Sequence, residues 1–254
     1  MTLVEKIQRD IVYSERGQTL DLFLPDDVAD LRPAAVLLHG GGWQGGDRKN
    51  MEHLAHWLTG QGFVVANVSY SLVPEYHWPA HFQDAAAAVW WLKNSAASLK
   101  IDCDRIIAAG VSAGGHLAAM LGQCVLVDTR TGVDSRIAAL VSIWGPWDLQ
   151  HTETEAQHET VAMLFTQDSP QARAEASPLL QIHSGSVPAL LFYGVLDEWV
   201  PYAQAQQVCQ RYAQVAAAEC RLVTFADLGH QWPEDDARVH GPLKTFLIDK
   251  GLMR

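Results

Sequence analysis

Cysteine, charge and long apolar runs are all scarce in this chain of 254 residues. Its four cysteines form no Cys-x-x-Cys pair and no zinc-ligand spacing, so the pattern indicates neither a disulfide framework nor a zinc site. No apolar stretch approaches the roughly 20 residues that a membrane-spanning helix needs. The N-terminus lacks the basic start and apolar run of a signal peptide. We therefore expect reduced thiols, no membrane association and a cytoplasmic location.

Positive charge is also in short supply. The chain has 18 Lys and Arg against 29 Asp and Glu, which gives a net charge of −11. Contacts to phosphate need clustered basic side chains, so this balance argues against a nucleic-acid partner and against docking on anionic lipid. The sequence leaves the oligomeric state open, a homodimer included.

Short apolar runs alternate with helical stretches along most of the chain. The alternation predicts an α/β protein of one domain, residues 1–254, with a mostly parallel central sheet and helices on both faces. The predicted strands lie at residues 11–14, 20–24, 34–38, 63–70, 105–111, 137–144, 189–193 and 221–225. The predicted helices lie at residues 49–61, 84–99, 112–125, 202–218 and 242–249. Residues 146–187 are polar and interrupt the rhythm, so we expect a small cap-like insertion there, covering the sheet edge and the functional site.

The segment Gly110-Val111-Ser112-Ala113-Gly114 matches Gly-x-Ser-x-Gly and falls between a predicted strand and a predicted helix. A sharp turn at this point would expose the serine hydroxyl in a strained conformation, and the glycines would let other backbone approach closely. The N-terminus of the following helix favours negative charge on a substrate oxygen. Ser112 is therefore the candidate nucleophile. A structural Gly/Ser-rich turn is the alternative, and the surrounding motifs make it the weaker one.

A glycine-rich segment, residues 39–43, directly follows the predicted strand at residues 34–38. Its consecutive backbone N–H groups can point at an oxyanion that develops on an attacked carbonyl. A phosphate-binding loop is the alternative, but the Gly-x-x-x-x-Gly-Lys-Ser/Thr pattern is absent. We therefore expect an oxyanion hole at this loop.

The candidate base and acid follow the last two predicted strands. His230 comes shortly after the strand at residues 221–225, and Asp197 follows the strand at residues 189–193, with Glu198 as its immediate rival. Loops beyond the carboxyl ends of parallel strands carry the functional groups of such sheets. The order serine, acid, histidine is the one expected of α/β-hydrolases.

Four sequence blocks resemble α/β-hydrolase carboxylesterases of the hormone-sensitive-lipase-like group, which includes feruloyl and acetyl-xylan esterase-like members. These blocks are residues 39–47, residues 70–84, residues 110–118, and residues 177–179 together with 194–201. The resemblance implies the α/β-hydrolase fold and hydrolysis of small esters, short-chain or aromatic, through an acyl-enzyme. It implies Ser112 as nucleophile, Asp197 as acid and His230 as base, and it implies the N–H groups of Gly41, Gly42 and Ala113 as oxyanion donors. The sequence departs from many relatives at Gln231, where they have a small or aromatic residue after the histidine.

Tryptophans near the strand ends predict an aromatic wall in the substrate pocket. The five predicted substrate-binding tryptophans are Trp43, Trp144, Trp147, Trp199 and Trp232. Packing beneath the loops is the alternative for some of them. An arylformamidase acting on N-formylkynurenine is the second function that fits an aromatic pocket, whereas a non-catalytic ligand-binding homologue fits poorly with a complete triad. We expect no cofactor. We also expect no metal, because His53 and His56 share a helix face without an evident third ligand.

Overall fold

A single mixed sheet organises the computed structural model, which describes residues 6–26, 30–215, 217–231 and 237–253. Its strands are β1 (Lys6–Val12), β2 (Thr19–Leu24), β3 (Arg32–Leu38), β4 (Val64–Val68), β5 (Ile101–Val111), β6 (Ala139–Ile143), β7 (Ala189–Gly194) and β8 (Cys220–Phe225). They lie in the order β1-β2-β4-β3-β5-β6-β7-β8. The pairs β1–β2 and β2–β4 are antiparallel, and every other neighbouring pair is parallel. The predicted mostly parallel sheet is confirmed.

Helices cover both faces of this sheet. They are α1 (Glu52–Gly60), α2 (Ala80–Asn94), α3 (Ala96–Leu99), α4 (Ala113–Gln123), α5 (Glu155–Met163), α6 (Pro170–Glu175), α7 (Pro178–Gln181), α8 (Tyr202–Val215) and α9 (Ala237–Asp249). One core layer contains buried side chains of α2, α4 and α8, and the opposite layer contains those of α1 and α9. Alternate residues of β3 contribute to the two layers, Val36 to the first and Leu37 to the second, because strand side chains point to opposite faces in turn.

Four elements, β1, α2, β5 and α9, begin four or more residues earlier than the sequence predicts. β1 begins at Lys6, because an edge strand tolerates the polar, mostly exposed sequence that precedes Ile11. α2 begins at Ala80, four residues ahead of Asp84. An aspartate ordinarily signals a helix start, but the carboxylate of Asp84 is fully buried and accepts hydrogen bonds from Arg16 Nη1 and from the backbone N–H of Ser71, each at 2.9 Å.

The polar stretch at residues 146–187 contains α5, α6 and α7. Val161 and Leu164 from this stretch form a small apolar cluster with Trp43 and Ala113, which follow β3 and β5 in the chain. The stretch therefore packs onto the carboxyl ends of the central strands. The assignment of residues 1–254 to one domain, and of this stretch to a cap, stays a prediction.

Within the described residues, every helix is too short or too polar to span a lipid bilayer.

The first turn of α4 lies directly against the end of β3. A Cβ atom on Gly114 would lie 2.0 Å from the carbonyl oxygen of Leu38, and one on Gly110 would lie 2.3 Å from that of Gly114. Such separations are far below van der Waals contact, and the obstructing atoms are backbone. Only glycine fits at these two positions.

Gly114→Ala should therefore destabilise the protein by about 3 kcal/mol or more, because the added methyl forces α4 away from β3. The measurement is the free energy of unfolding in urea. Gly60→Ala is the matched control, since no atom lies within 4 Å of its added Cβ and alanine in a helix gains up to about 1 kcal/mol over glycine. Equal free energies for the two variants would contradict the close approach.

Candidate active site

Ser112 occupies the turn between β5 and α4 with φ +52° and ψ −118°. Residues with a side chain rarely adopt this conformation, and it persists only where the surroundings enforce it. Here the N–H of Ser112 donates to the carbonyl of Ile143 at 2.8 Å, and its carbonyl accepts from the N–H of His116 at 3.0 Å. The strained turn is thus held on both sides, which is the geometry expected of a nucleophile at a strand-to-helix turn.

His230 lies between Ser112 and Asp197. Its Nε2 is 2.8 Å from Ser112 Oγ, and its Nδ1 is 2.8 Å from Asp197 Oδ2. Since a carboxylate only accepts hydrogen bonds, the network assigns the proton to Nδ1 and leaves Nε2 free to accept the serine proton. The structure therefore brings together the three residues that the sequence singles out on three different loops.

Asp197, and not its neighbour Glu198, contacts the histidine. The Asp197 side chain is fully buried, and its second oxygen accepts hydrogen bonds from the backbone N–H groups of Trp199 and Val200, each at 2.8 Å. These bonds fix the carboxylate in the orientation that faces His230. Glu198 is exposed, so Asp197 is the one of the two acids that contacts the histidine.

The glycine loop after β3 supplies backbone N–H groups to the same place. Gly41 has φ +122°, and a Cβ atom there would lie 2.3 Å from the carbonyl oxygen of Gly45. Gly41, Gly42 and Ala113 all line the cavity that contains the Ser112 side chain. Among the described residues, no acceptor takes a hydrogen bond from the N–H group of any of the three. Such N–H groups can stabilise an oxyanion formed next to the serine.

The ring of His39 is packed at the start of this loop. It is buried and stacks on Tyr70 with ring centroids 4.3 Å apart, and the Tyr70 hydroxyl donates to the His39 carbonyl at 2.7 Å. Burial lowers the pKa of the His39 imidazole. The stacking and the hydrogen bond with Tyr70 fix the point at which the loop leaves the sheet.

The cavity beside Ser112 has a volume of about 470 Å³. Two of the five predicted tryptophans, Trp43 and Trp199, line it. Trp43 is 2% exposed and is mainly part of the packing beneath the loop, whereas Trp199 is 51% exposed and lies at the opening. The remaining lining comes from the glycine loop, the Ser112 turn, α5 and the segments after β6, β7 and β8. It includes Gln44, Pro146, Gln157, Thr160, Val161, Val200 and His230.

The prediction that Trp144 and Trp147 bind substrate is wrong. Their exposed fractions are 1% and 0%, and neither lines the cavity. Trp144 stacks on Phe225 at 5.6 Å, and Trp147 Nε1 donates to Ser142 Oγ at 3.3 Å. Both follow β6, but proximity to a strand end in the chain does not determine whether a side chain points into the cleft or into the core. Trp232, the fifth tryptophan, lies outside the described residues.

Sequence reasoning missed the contribution of α5. Its residues Gln157, Thr160 and Val161 form one wall of the cavity. Thr154 and Gln157 form a capping box at the start of this helix, and the Thr-x-x-Gln pattern is a signal that places a helix start. What the pattern does not reveal is which face of the helix meets the serine.

Among the described residues, no group of three or more His, Cys, Asp or Glu side chains is arranged so that it could hold a metal ion.

Comparison with known proteins identifies the family of the chain. A family model described as BD-FAE matches residues 20–212. The chain belongs to the BD-FAE family. Among curated relatives, Esterase LipC of Mycobacterium tuberculosis is 28% identical over 92% of this chain and 62% of its own length. Esterase LipQ of the same organism is 30% identical over 86% of this chain and 55% of its own length. The chain thus spans less than two thirds of either relative.

Solved structures share the fold. The thermophilic esterase Est2 of the Planctomycetes species Thermogutta terrifontis, with butyrate bound, superposes with a TM-score of 0.82. It is 24% identical to this chain, and the match covers 98% of this chain and 95% of Est2. This likeness shows the α/β-hydrolase fold, as the sequence predicts. The arylformamidase alternative finds no support in these comparisons.

We expect two buried histidines, His81 and His116, to make the free energy of unfolding depend on pH. Burial lowers the pKa of His116 to about 4 and that of His81 to about 4. His116 Nε2 donates to the carbonyl of Ala176 at 2.7 Å, which leaves the neutral ring in place against Trp43. Between pH 6.5 and about 4, the two histidines bind protons in the unfolded chain but stay unprotonated in the folded protein.

The free energy of unfolding should therefore fall as the pH is lowered from 6.5 towards 4. Each of the two histidines contributes a slope of up to about 1.4 kcal/mol per pH unit. Urea unfolding at a series of pH values measures the slope. His81→Leu should reduce it by about one histidine's share, and an unchanged slope in that variant would show that His81 titrates normally in the folded protein.

Proposed function

We propose that this protein is a serine carboxylesterase that hydrolyses small esters through an acyl-enzyme. The observation that carries the proposal is the unbroken hydrogen-bond chain from Ser112 through His230 to Asp197. It ends in a cavity that Gly41, Gly42 and Ala113 line. The names of LipC and LipQ as esterases support the same reaction class.

In the proposed first half of the reaction, Ser112 Oγ attacks the ester carbonyl while His230 Nε2 accepts its proton. Asp197 holds the ring in the correct tautomer and stabilises the imidazolium that forms. The N–H groups of Gly41, Gly42 and Ala113 receive the oxyanion. His230 then protonates the leaving alcohol, and in the second half a water molecule repeats these steps on the acyl-enzyme.

The cavity supports substrates of modest size. Its volume of about 470 Å³ lies towards the lower end of the range of roughly 300–1,000 Å³ found for small-molecule sites. Val161 and Trp43 supply apolar surface on the α5 side, and Trp199 supplies an indole ring at the opening. Short-chain and aromatic esters both fit these properties. The butyrate bound to Est2 favours a short acyl group.

Ser112→Ala should abolish ester hydrolysis without changing the fold, with a loss of turnover on the order of 10⁶ as in a comparable triad. Asp197→Asn should reduce turnover by about 10⁴, because the imidazole then adopts the wrong tautomer. Steady-state kinetics on p-nitrophenyl acetate measure both effects. Glu198→Gln is the matched control and should retain activity, since Glu198 is exposed. If the Glu198 and Asp197 variants exchanged phenotypes, the acid would be misassigned.

Trp199→Ala should reduce kcat/KM for aryl esters threefold to tenfold more than it reduces kcat/KM for ethyl acetate. This difference corresponds to about 0.5–1.5 kcal/mol. Its melting temperature should change little, because the side chain is 51% exposed. Trp147→Ala is the comparison, since truncation of a fully buried tryptophan costs about 3–5 kcal/mol of stability. Kinetics on the two esters, measured beside thermal melts, distinguish these roles. Equal losses on both esters in Trp199→Ala would remove this ring from substrate recognition.

A further inference from the structure

The peptide unit that joins Glu198 to Trp199 is hydrogen-bonded at both of its polar ends. Its carbonyl oxygen, which belongs to Glu198, accepts a hydrogen bond from Gln157 Nε2 at 2.8 Å. Its N–H group, which belongs to Trp199, donates to Asp197 Oδ1 at 2.8 Å. A continuous chain of hydrogen bonds therefore runs from α5 through this peptide and Asp197 to His230.

Gln157 is itself held in one orientation. Its Oε1 accepts hydrogen bonds from the backbone N–H groups of Glu153 at 2.6 Å and Thr154 at 3.2 Å, at the start of α5. Its own N–H donates to Thr154 Oγ1 at 3.2 Å. The residue is 6% exposed. Because the amide oxygen is engaged by two donors, the amide nitrogen is the end that points to Glu198.

We propose that Gln157 is a positioning residue that acts on Asp197 through the 198–199 peptide, a role that rests on the proposed function. A hydrogen bond accepted by a peptide carbonyl polarises that peptide and strengthens the bond that its N–H donates. The same bond fixes the plane of the peptide, which keeps the N–H of Trp199 aimed at Asp197 Oδ1. Without it the peptide is free to rotate, and Asp197 loses one of the two backbone donors that orient its carboxylate.

Gln157→Glu isolates this contact. A glutamate keeps an oxygen for the two N–H groups at the helix start, where it is a usual capping-box residue, but it has no N–H to donate to Glu198. We expect kcat to fall about threefold to tenfold while KM stays within about twofold, as for the loss of one hydrogen bond that acts in the transition state. The low-field proton resonance of His230 Nδ1–H should weaken or shift. The uncharged variant Gln157→Met should show the same changes.

Thr154→Val is the matched control. It removes the hydroxyl that caps α5 but leaves the Gln157 amide facing Glu198, so the melting temperature should fall while kcat and the His230 resonance stay as in the parent protein. An equal loss of kcat in this variant would assign the effect to α5 stability and overturn the proposal. A rise in KM alone in Gln157→Glu would make Gln157 a substrate contact and would also overturn it.

The resonance of His230 is measured without substrate, so it separates this proposal from the proposed function. An unchanged resonance in both Gln157 variants would refute the positioning role even if the parent protein hydrolyses esters. If the resonance changes in both Gln157 variants but the parent protein hydrolyses no ester, the proposed function is refuted. The contact between α5 and the loop after β7 is then still supported.

Discussion

The contact between the backbone of β3 and the first turn of α4 is the constraint on which the Ser112 side of the site depends. It exists because Gly114 presents no side chain to the carbonyl of Leu38. This approach brings the N-terminus of α4, with Ala113, beside the glycine loop that leaves β3. Backbone from two distant parts of the chain therefore lines one cavity. The positive φ of Ser112 follows from the same turn, since the chain must reverse sharply between a buried strand and a helix that touches the neighbouring strand.

The other half of the site depends on a buried carboxylate. Asp197 follows β7, and His230 follows β8, so their pairing relies on the parallel register of these two neighbouring strands. The carboxylate is satisfied by two backbone N–H groups and the imidazole, as a buried charge requires. The stretch at residues 146–187 contacts both halves, because α5 packs on Trp43 through Val161 and reaches the loop after β7 through Gln157.

Much of the fold was predictable because the central strands are buried on both faces and therefore appear as short apolar runs between helices. The candidate triad was predictable because parallel strands present their following loops at one edge of the sheet. The direction of side chains was not predictable: Trp144 has φ +51° and its buried ring stacks on Phe225, which no periodicity reveals. The choice of Asp197 over Glu198 also needed the local turn, in which the Asp197 side chain accepts from the backbone N–H groups of Trp199 and Val200. The cytoplasmic location and the homodimer stay predictions.

Covalent labelling by a fluorophosphonate is the most direct test of whether Ser112 is an activated nucleophile. The intact protein would be treated with one equivalent of a fluorophosphonate, digested, and the modified peptide sequenced by mass spectrometry. We expect one phosphonyl group per chain, attached to Ser112, and a loss of ester hydrolysis in proportion to labelling. Modification of a different serine in that proportion, or undiminished hydrolysis by fully labelled protein, would contradict it.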